Sequence, residues 1–183
     1  VQAERQARQT LRQARNIANA GTDLMTNLGQ ALTLLQQIDV KSYTYQDAKG
    51  DADRWSNALL KLATDRLNQK DLAGAIAATE QIPLGLPLSA TTQERVWCTR
   101  AQQLTHAEHI VKTPLSQQLL TLSIVLPAVQ RIQAKSPLYA QAQTQISQLE
   151  KLLQDLVQIQ AARTLANQRG HAALQLAIRY SQA

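Results

Sequence analysis

Apolar positions recur along this chain in a fixed order. A small or aliphatic residue and its aliphatic neighbour are followed by further such residues three and six positions on. The box reads Ala31-Leu32-x2-Leu35-x2-Ile38, then Ala75-Ile76-x2-Thr79-x2-Ile82. It returns as Val125-Leu126-x2-Val129-x2-Ile132 and as Ala173-Leu174-x2-Ala177-x2-Tyr180, with offsets of 44, 50 and 48 residues. A second pattern trails the first: Tyr45-x2-Ala48-x3-Ala52-x2-Trp55, Pro87-x2-Ala90-x3-Glu94-x2-Trp97 and Tyr139-x2-Ala142-x3-Ile146-x2-Leu149. Spacings of three and four place such residues on one face of a helix. Two linked patterns recurring in order predict stacked helical units, and periods of this length are the mark of a helical array.

The polar punctuation between the boxes sets the expected elements. Residues 1–19 read as a helix, and Gly21-Thr22-Asp23 closes it and caps the next, which carries the first box. A long helix follows over about 43–69, then a short one capped by Asp71 and running to Ile82. The stretch Pro83-Leu84-Gly85-Leu86-Pro87 cannot continue it, and it is expected to cover the end of a hairpin. Helices are expected next over 91–112 and from Thr113-Pro114, a cap followed by proline at the first helical position. Pro127 should kink or split that helix at Leu126. Ser136-Pro137 repeats the start signal for a helix over 137–168, ended by Arg169-Gly170. A final short helix then carries the fourth box. The expected fold is all-α: an αα-hairpin solenoid of about eight helices, long and short in turn. Its four repeats span about 1–42, 43–86, 87–136 and 137–183 of one domain. Ile38, Ile82, Ile132, Tyr180, Tyr45, Tyr139, Trp55 and Trp97 are its expected packing residues.

Composition fits helices and bounds the function. The 183 residues contain no Phe, six Gly and five Pro, with 44% apolar residues. Such a chain is rich in helix formers and poor in strand formers. It begins at Val1 and reads as a soluble segment of a longer protein, with no apolar run long enough to span a membrane. Cys98 is the single cysteine, which excludes an internal disulfide and leans toward a reducing, cytoplasmic setting. Net charge is +6. Residues 1–94 balance ten basic against ten acidic side chains, whereas residues 95–183 carry nine against three.

Ala-Ile-x2-Ala-x2-Ile followed by Tyr-x2-Ala-x3-Ile-x2-Trp resembles helical-repeat segments of a group of cyanobacterial proteins, tetratricopeptide- or HEAT-like in build. The resemblance covers nearly the whole chain and is best at 45–82 and 125–149. It implies an α-solenoid. Some of those proteins carry a chromosome-segregation label, which implies an ATPase. This chain has no Gly-x4-Gly-Lys-Ser/Thr loop to cradle phosphates, so that activity is not carried over.

Candidate chemistry is sparse. Arg5, Arg8, Arg12 and Arg15 form a basic stripe on the first helix, suited to an acidic partner, phosphates or an anionic surface. Tyr43 stands outside the repeated positions and is the tyrosine expected to line a surface. His106-x2-His109 lacks an evident third metal ligand, and both histidines are expected to be exposed. Cys98 is expected to be buried and inert. Nothing resembles a Ser/His/Asp set or a carboxylate pair placed for acid–base work. No cofactor is implied. The expected function is a non-enzymatic protein-interaction scaffold whose partner is a protein or peptide with acidic character. The alternative is nucleic-acid or anionic-surface binding through the first helix and the basic C-terminal half. A third possibility is a sensor that encloses a small ligand in a pocket at mid-array.

Overall fold

The computed structural model describes residues 2–21 and 23–181, without the side chains of 107, 108 and 172–181. The described residues form eight helices and no strand. They are α1 (Gln2–Ala18), α2 (Leu24–Leu35), α3 (Tyr45–Asn68), α4 (Leu72–Glu80), α5 (Ala90–Leu104), α6 (Ala107–Lys112), α7 (Leu115–Gln130) and α8 (Tyr139–Ser181).

Local chemistry sets several of the ends. Asp23 accepts from the Thr26 amide, Asp71 from the Gly74 amide and Ser89 from the Thr92 amide, so α2, α4 and α5 each begin on a side-chain cap. The α3–α4 corner is tight. The amide of Lys70 bonds the Leu67 carbonyl and that of Asp71 bonds the Arg66 carbonyl, which closes α3 in a Schellman motif. Lys70 adopts φ 63° to do so, a conformation that favours glycine. Asp71 therefore ends one helix and caps the next.

Packing follows chain order. α1 lies on α2 and α3 on α4, while α7 lies against both α5 and α8. α2 also meets α3, and α5 also meets α3, α4 and α8. One apolar cluster runs from Ala7 through Leu32 and Leu59 to Val96. A second runs from Cys98 through Val125 and Leu149 to Leu156, so α5 joins the two. The first three boxes supply much of both. Ala31, Leu32, Val125 and Val129 are all at most 1% exposed, and Ala75, fully buried, belongs to a small third cluster with Ala63 and Ala78. Each box ends the same way: the amides of Ile38, Ile82 and Ile132 bond the carbonyls of Leu35, Thr79 and Val129 at 3.1–3.2 Å. All three isoleucines are buried.

Four expectations are corrected. The helix expected over 91–112 breaks into α5 and α6 at Thr105-His106. The last turn of α5 tightens there: the Thr105 amide bonds the Ala101 and Gln103 carbonyls and the His106 amide bonds the Gln103 carbonyl. Pro127 does not split α7, which runs through it to Gln130. Only the last turn lies beyond Pro127, and its ring is exposed, so little is lost there. Gly170 does not end the last helix: α8 continues to Ser181. Glycine inside a helix costs only about 1 kcal/mol relative to alanine and is not a stop without a proline or a cap partner. The side chains of the fourth box, Tyr180 included, lie outside the described residues. Finally, the helices expected at the two cap–proline pairs begin a little later, at Leu115 and Tyr139.

The trailing pattern is buried unevenly. Trp55, Ala48 and Ala52 are buried, as are Ala142 and Leu149. Tyr45 is half-buried and Tyr139 is 36% exposed. Trp97 is less buried than Trp55: it is half-buried and packs on the second apolar cluster, while α5 turns Thr92, Val96 and Ala101 fully inward. Pro87 precedes the Ser89 cap, so the pattern straddles a helix start and its register slips relative to the buried face.

Candidate functional site

The α1 stripe and Tyr43 meet across one groove. Ala7, Leu11 and Ala14 bury one face of α1. The arginines, on the other side, are exposed. Arg8, Arg12 and Arg15 line a groove of about 300 Å³ together with Tyr43, Thr44 and Asp47. Arg5 does not line it.

Two of the three arginines are held internally. Arg8 Nε lies 3.3 Å from Glu4 Oε1. Arg15 Nε lies 2.5 Å from Asp51 Oδ2, and Arg54 Nη2 lies 2.7 Å from the other oxygen of that buried carboxylate. Arg12 makes no ion pair with a described residue, so its guanidinium is open to a partner.

Glu4 shapes the groove. It accepts from Ser42 Oγ at 2.7 Å, Thr44 Oγ1 at 2.7 Å and the Tyr43 amide at 3.2 Å. The Thr44 and Ser42 hydroxyls, against some desolvation, hold its carboxyl down at about 2. These bonds tie the loop before α3 to the start of α1, and Tyr43 stands 90% exposed at the groove.

The same device recurs and was missed in the sequence. Asp53 of α3 accepts from the Ser89 amide ahead of α5 at 2.8 Å. Glu94 of α5 accepts from Ser136 Oγ ahead of α8 at 2.5 Å. A signal for it was present: Ile38-x2-Lys41-Ser42-x2-Tyr45 recurs as Ile132-x2-Lys135-Ser136-x2-Tyr139. A carboxylate on one long helix thus fastens the loop that starts the next.

A second concavity of about 320 Å³ opens between α4, α5, α6 and α7. Ile82, Leu84, Trp97 and Ile124 give it apolar walls, and Glu80, Arg100 and His109 also line it. Arg100 lies 5.3 Å from the Trp97 ring centroid. Its Nη2 donates to the Thr79 and Ile82 carbonyls at 3.2 and 2.9 Å. Desolvation by burial lowers its pKa, and the charge of Glu80 works the other way. Gln103 braces the floor, donating to the Ala75 carbonyl at 3.0 Å and accepting from the Thr79 hydroxyl at 2.9 Å.

The histidines part company. His106 is exposed, whereas His109 is half-buried, which corrects the expectation of two exposed imidazoles. Burial lowers the His109 pKa from 6.5, favouring the neutral ring. Its Nδ1 lies 3.2 Å from Thr113 Oγ1, and its sealed Nε2 has no partner among the described residues. Cys98 is buried, and desolvation followed by the Glu94 charge pushes its thiol up to about 11, so it is a poor nucleophile at neutral pH. Among the described residues no group of three His, Cys, Asp or Glu side chains is placed to hold a metal ion. No described helix is long and apolar enough to cross a membrane.

No protein-family model matches the chain, and no curated protein or solved structure matches it either.

Proposed function

We propose that this chain is a solenoid of helical hairpins serving as a non-enzymatic protein-interaction module. It would hold an acidic segment of a partner protein in the α1–α3 groove. In support, most consecutive helices pack on one another, α7 lying on α5 rather than on the short α6, and three boxes close with the same isoleucine hydrogen bond.

The observation that carries the proposal is the pairing of a 90% exposed Tyr43 with an uncommitted Arg12 across one groove. Tyrosine and arginine are the side chains that most often anchor protein interfaces. The loop bearing Tyr43 is fixed to α1 through Glu4, so little ordering entropy is lost on binding. Nucleic acid is the weaker candidate. Glu4 and Asp51 hold Arg8 and Arg15, so among the groove arginines Arg12 alone has no ion pair with a described residue: one such cation beside Tyr43 can meet a carboxylate but cannot follow a phosphate backbone.

The test is selection of peptides from a random display library on the immobilised chain, with duplex DNA titrated in parallel across salt. The expected result is enrichment of Asp- and Glu-rich peptides, lost on Arg12→Glu. Selection without an acidic bias, or DNA binding that falls steeply with salt while no peptide is enriched, would reject the proposal.

A further inference from the structure

The cleft between α4, α5, α6 and α7 is separate from the α1–α3 groove, and a protein-docking role gives it no task. Its charges are placed unusually. Arg100 is half-buried against Trp97, yet no described carboxylate forms an ion pair with it. Only Nη2 is engaged, on the Thr79 and Ile82 carbonyls, which leaves Nη1 and Nε without a partner among the described residues. A guanidinium has five donors in a planar fork that suits a carboxylate. Arg100 is half-buried with part of its fork still open to the cleft, and an anionic ligand could take the place of water there.

Glu80 lines the same cleft and acts electrostatically on both Arg100 and His109, but it pairs with neither. One cation and one anion thus share a cleft without meeting. A simple carboxylate would be drawn to Arg100 and repelled by Glu80. A simple amine would meet the reverse. A small zwitterion satisfies both. The remaining wall mixes apolar side chains, with Ile82 buried and Leu84 and Ile124 exposed by 53% and 43% at the rim, with the polar Gln103, His109, Gln117 and Thr121. A volume of about 320 Å³ is at the low end for ligand pockets and suits a small molecule.

We propose that this cleft binds an apolar α-amino acid. Its carboxylate lies on the free edge of Arg100, its ammonium group toward Glu80, and its side chain against Leu84 and Ile124. The two charges of the cleft then set the ligand class, and the aliphatic rim sets the preference for an apolar side chain.

Isothermal titration calorimetry of the full chain tests this with leucine and phenylalanine. Each is compared with its deaminated acid (4-methylpentanoate, 3-phenylpropanoate) and with its decarboxylated amine. The amino acids are expected to bind saturably; the decarboxylated amine, which leaves half-buried Arg100 unmet, should be weaker by on the order of tenfold or more, and the deaminated acid weaker by a smaller factor because Glu80 is exposed. Arg100→Gln should abolish the amino-acid signal. Because Arg100 also holds the end of α4, Ile124→Asp serves as a second variant: it sits on the exposed rim and sets a charged carboxylate where the ligand's apolar side chain would pack. It too should weaken binding by about tenfold or more. Absence of saturable binding by both amino acids would overturn the proposal. So would binding of the acid or the amine as tight as that of its amino acid, or undiminished binding in well-folded Ile124→Asp.

Discussion

Two long helices of this molecule, α3 and α8, show what a neighbour does for a helix. α3 is met by α2, α4 and α5, and it buries Ala48, Ala52, Trp55, Leu59 and Leu60 among others. α8 packs on α5 and α7, but its last buried described side chain is Leu156; from residue 157 to 171 every side chain is exposed. Val157, Ile159 and Leu165 in that stretch are 45–52% exposed. Both helices are rich in good helix formers, so propensity does not separate them. In proteins most helical stability comes from packing one face, and only α3 has that along its whole length. Side chains in α3 should therefore carry folding energy, and those in the outer part of α8 should not.

The largest effect that would sharpen this contrast is at Leu59, which is fully buried. Leu59→Ala should cost about 2–5 kcal/mol through lost burial and the cavity left behind. Leu165→Ala, at a half-exposed site, should change stability by no more than about 0.5 kcal/mol. Urea denaturation of the two variants makes the comparison, and equal losses would break it.

A smaller effect is expected at Asp51, whose buried carboxylate is shared by Arg15 and Arg54. Asp51→Ala should destabilise by about 1–2 kcal/mol, a value reduced because both arginine heads are substantially exposed and screened. The same denaturation experiment checks it, and the α1–α3 contact should loosen first in hydrogen exchange.

At the α3–α4 corner the sign reverses. Lys70 holds φ 63°, so Lys70→Gly should stabilise by about 0.5–1 kcal/mol, seen as a rise in melting temperature. A fall would mean that its side chain contributes more than its backbone costs.

The smallest effect is confined to acid. The Glu4 carboxyl is lowered from 4.5 to about 2 by the Thr44 and Ser42 hydroxyls. A depressed carboxylate contributes stability that is complete above about pH 4.5 and is lost as pH falls through about 2. Stability of Glu4→Gln should therefore depend less on pH across that window than stability of the native chain. Parallel acid limbs in the two would refute the assignment.

The helices and their core were largely legible because a period of three and four residues reports a buried face directly. Ile38, Ile82 and Ile132 were found that way, and all three are buried. Trp97, also read as a packing residue, packs on the second cluster but stays half-buried. The extent of α8 was misjudged because Gly170 weakens a helix without supplying a stop. The groove was legible in part: arginine spacing put Arg8, Arg12 and Arg15 on one face, and Tyr43 stood out by failing to fit the pattern. The acids that bind Arg8 and Arg15 were hidden in different ways. Glu4 pairs within one turn of α1, whereas Asp51 reaches Arg15 only once α3 lies beside α1. The mid-chain cleft was not legible, because Arg100 and His109 come together only when α5, α6 and α7 fold around the end of α4.

The most direct measurement is the affinity of one acidic peptide for the native chain and for Arg12→Glu, Tyr43→Ala and Arg5→Glu, read by fluorescence anisotropy. The account predicts that Arg12→Glu and Tyr43→Ala each weaken binding by about tenfold or more, the mark of an interface anchor. Arg5→Glu, outside the groove, should leave affinity within about twofold apart from a modest salt-dependent change. Equal losses for Arg5→Glu and Arg12→Glu, with Tyr43→Ala unchanged, would contradict it and reduce the groove to a diffuse basic surface.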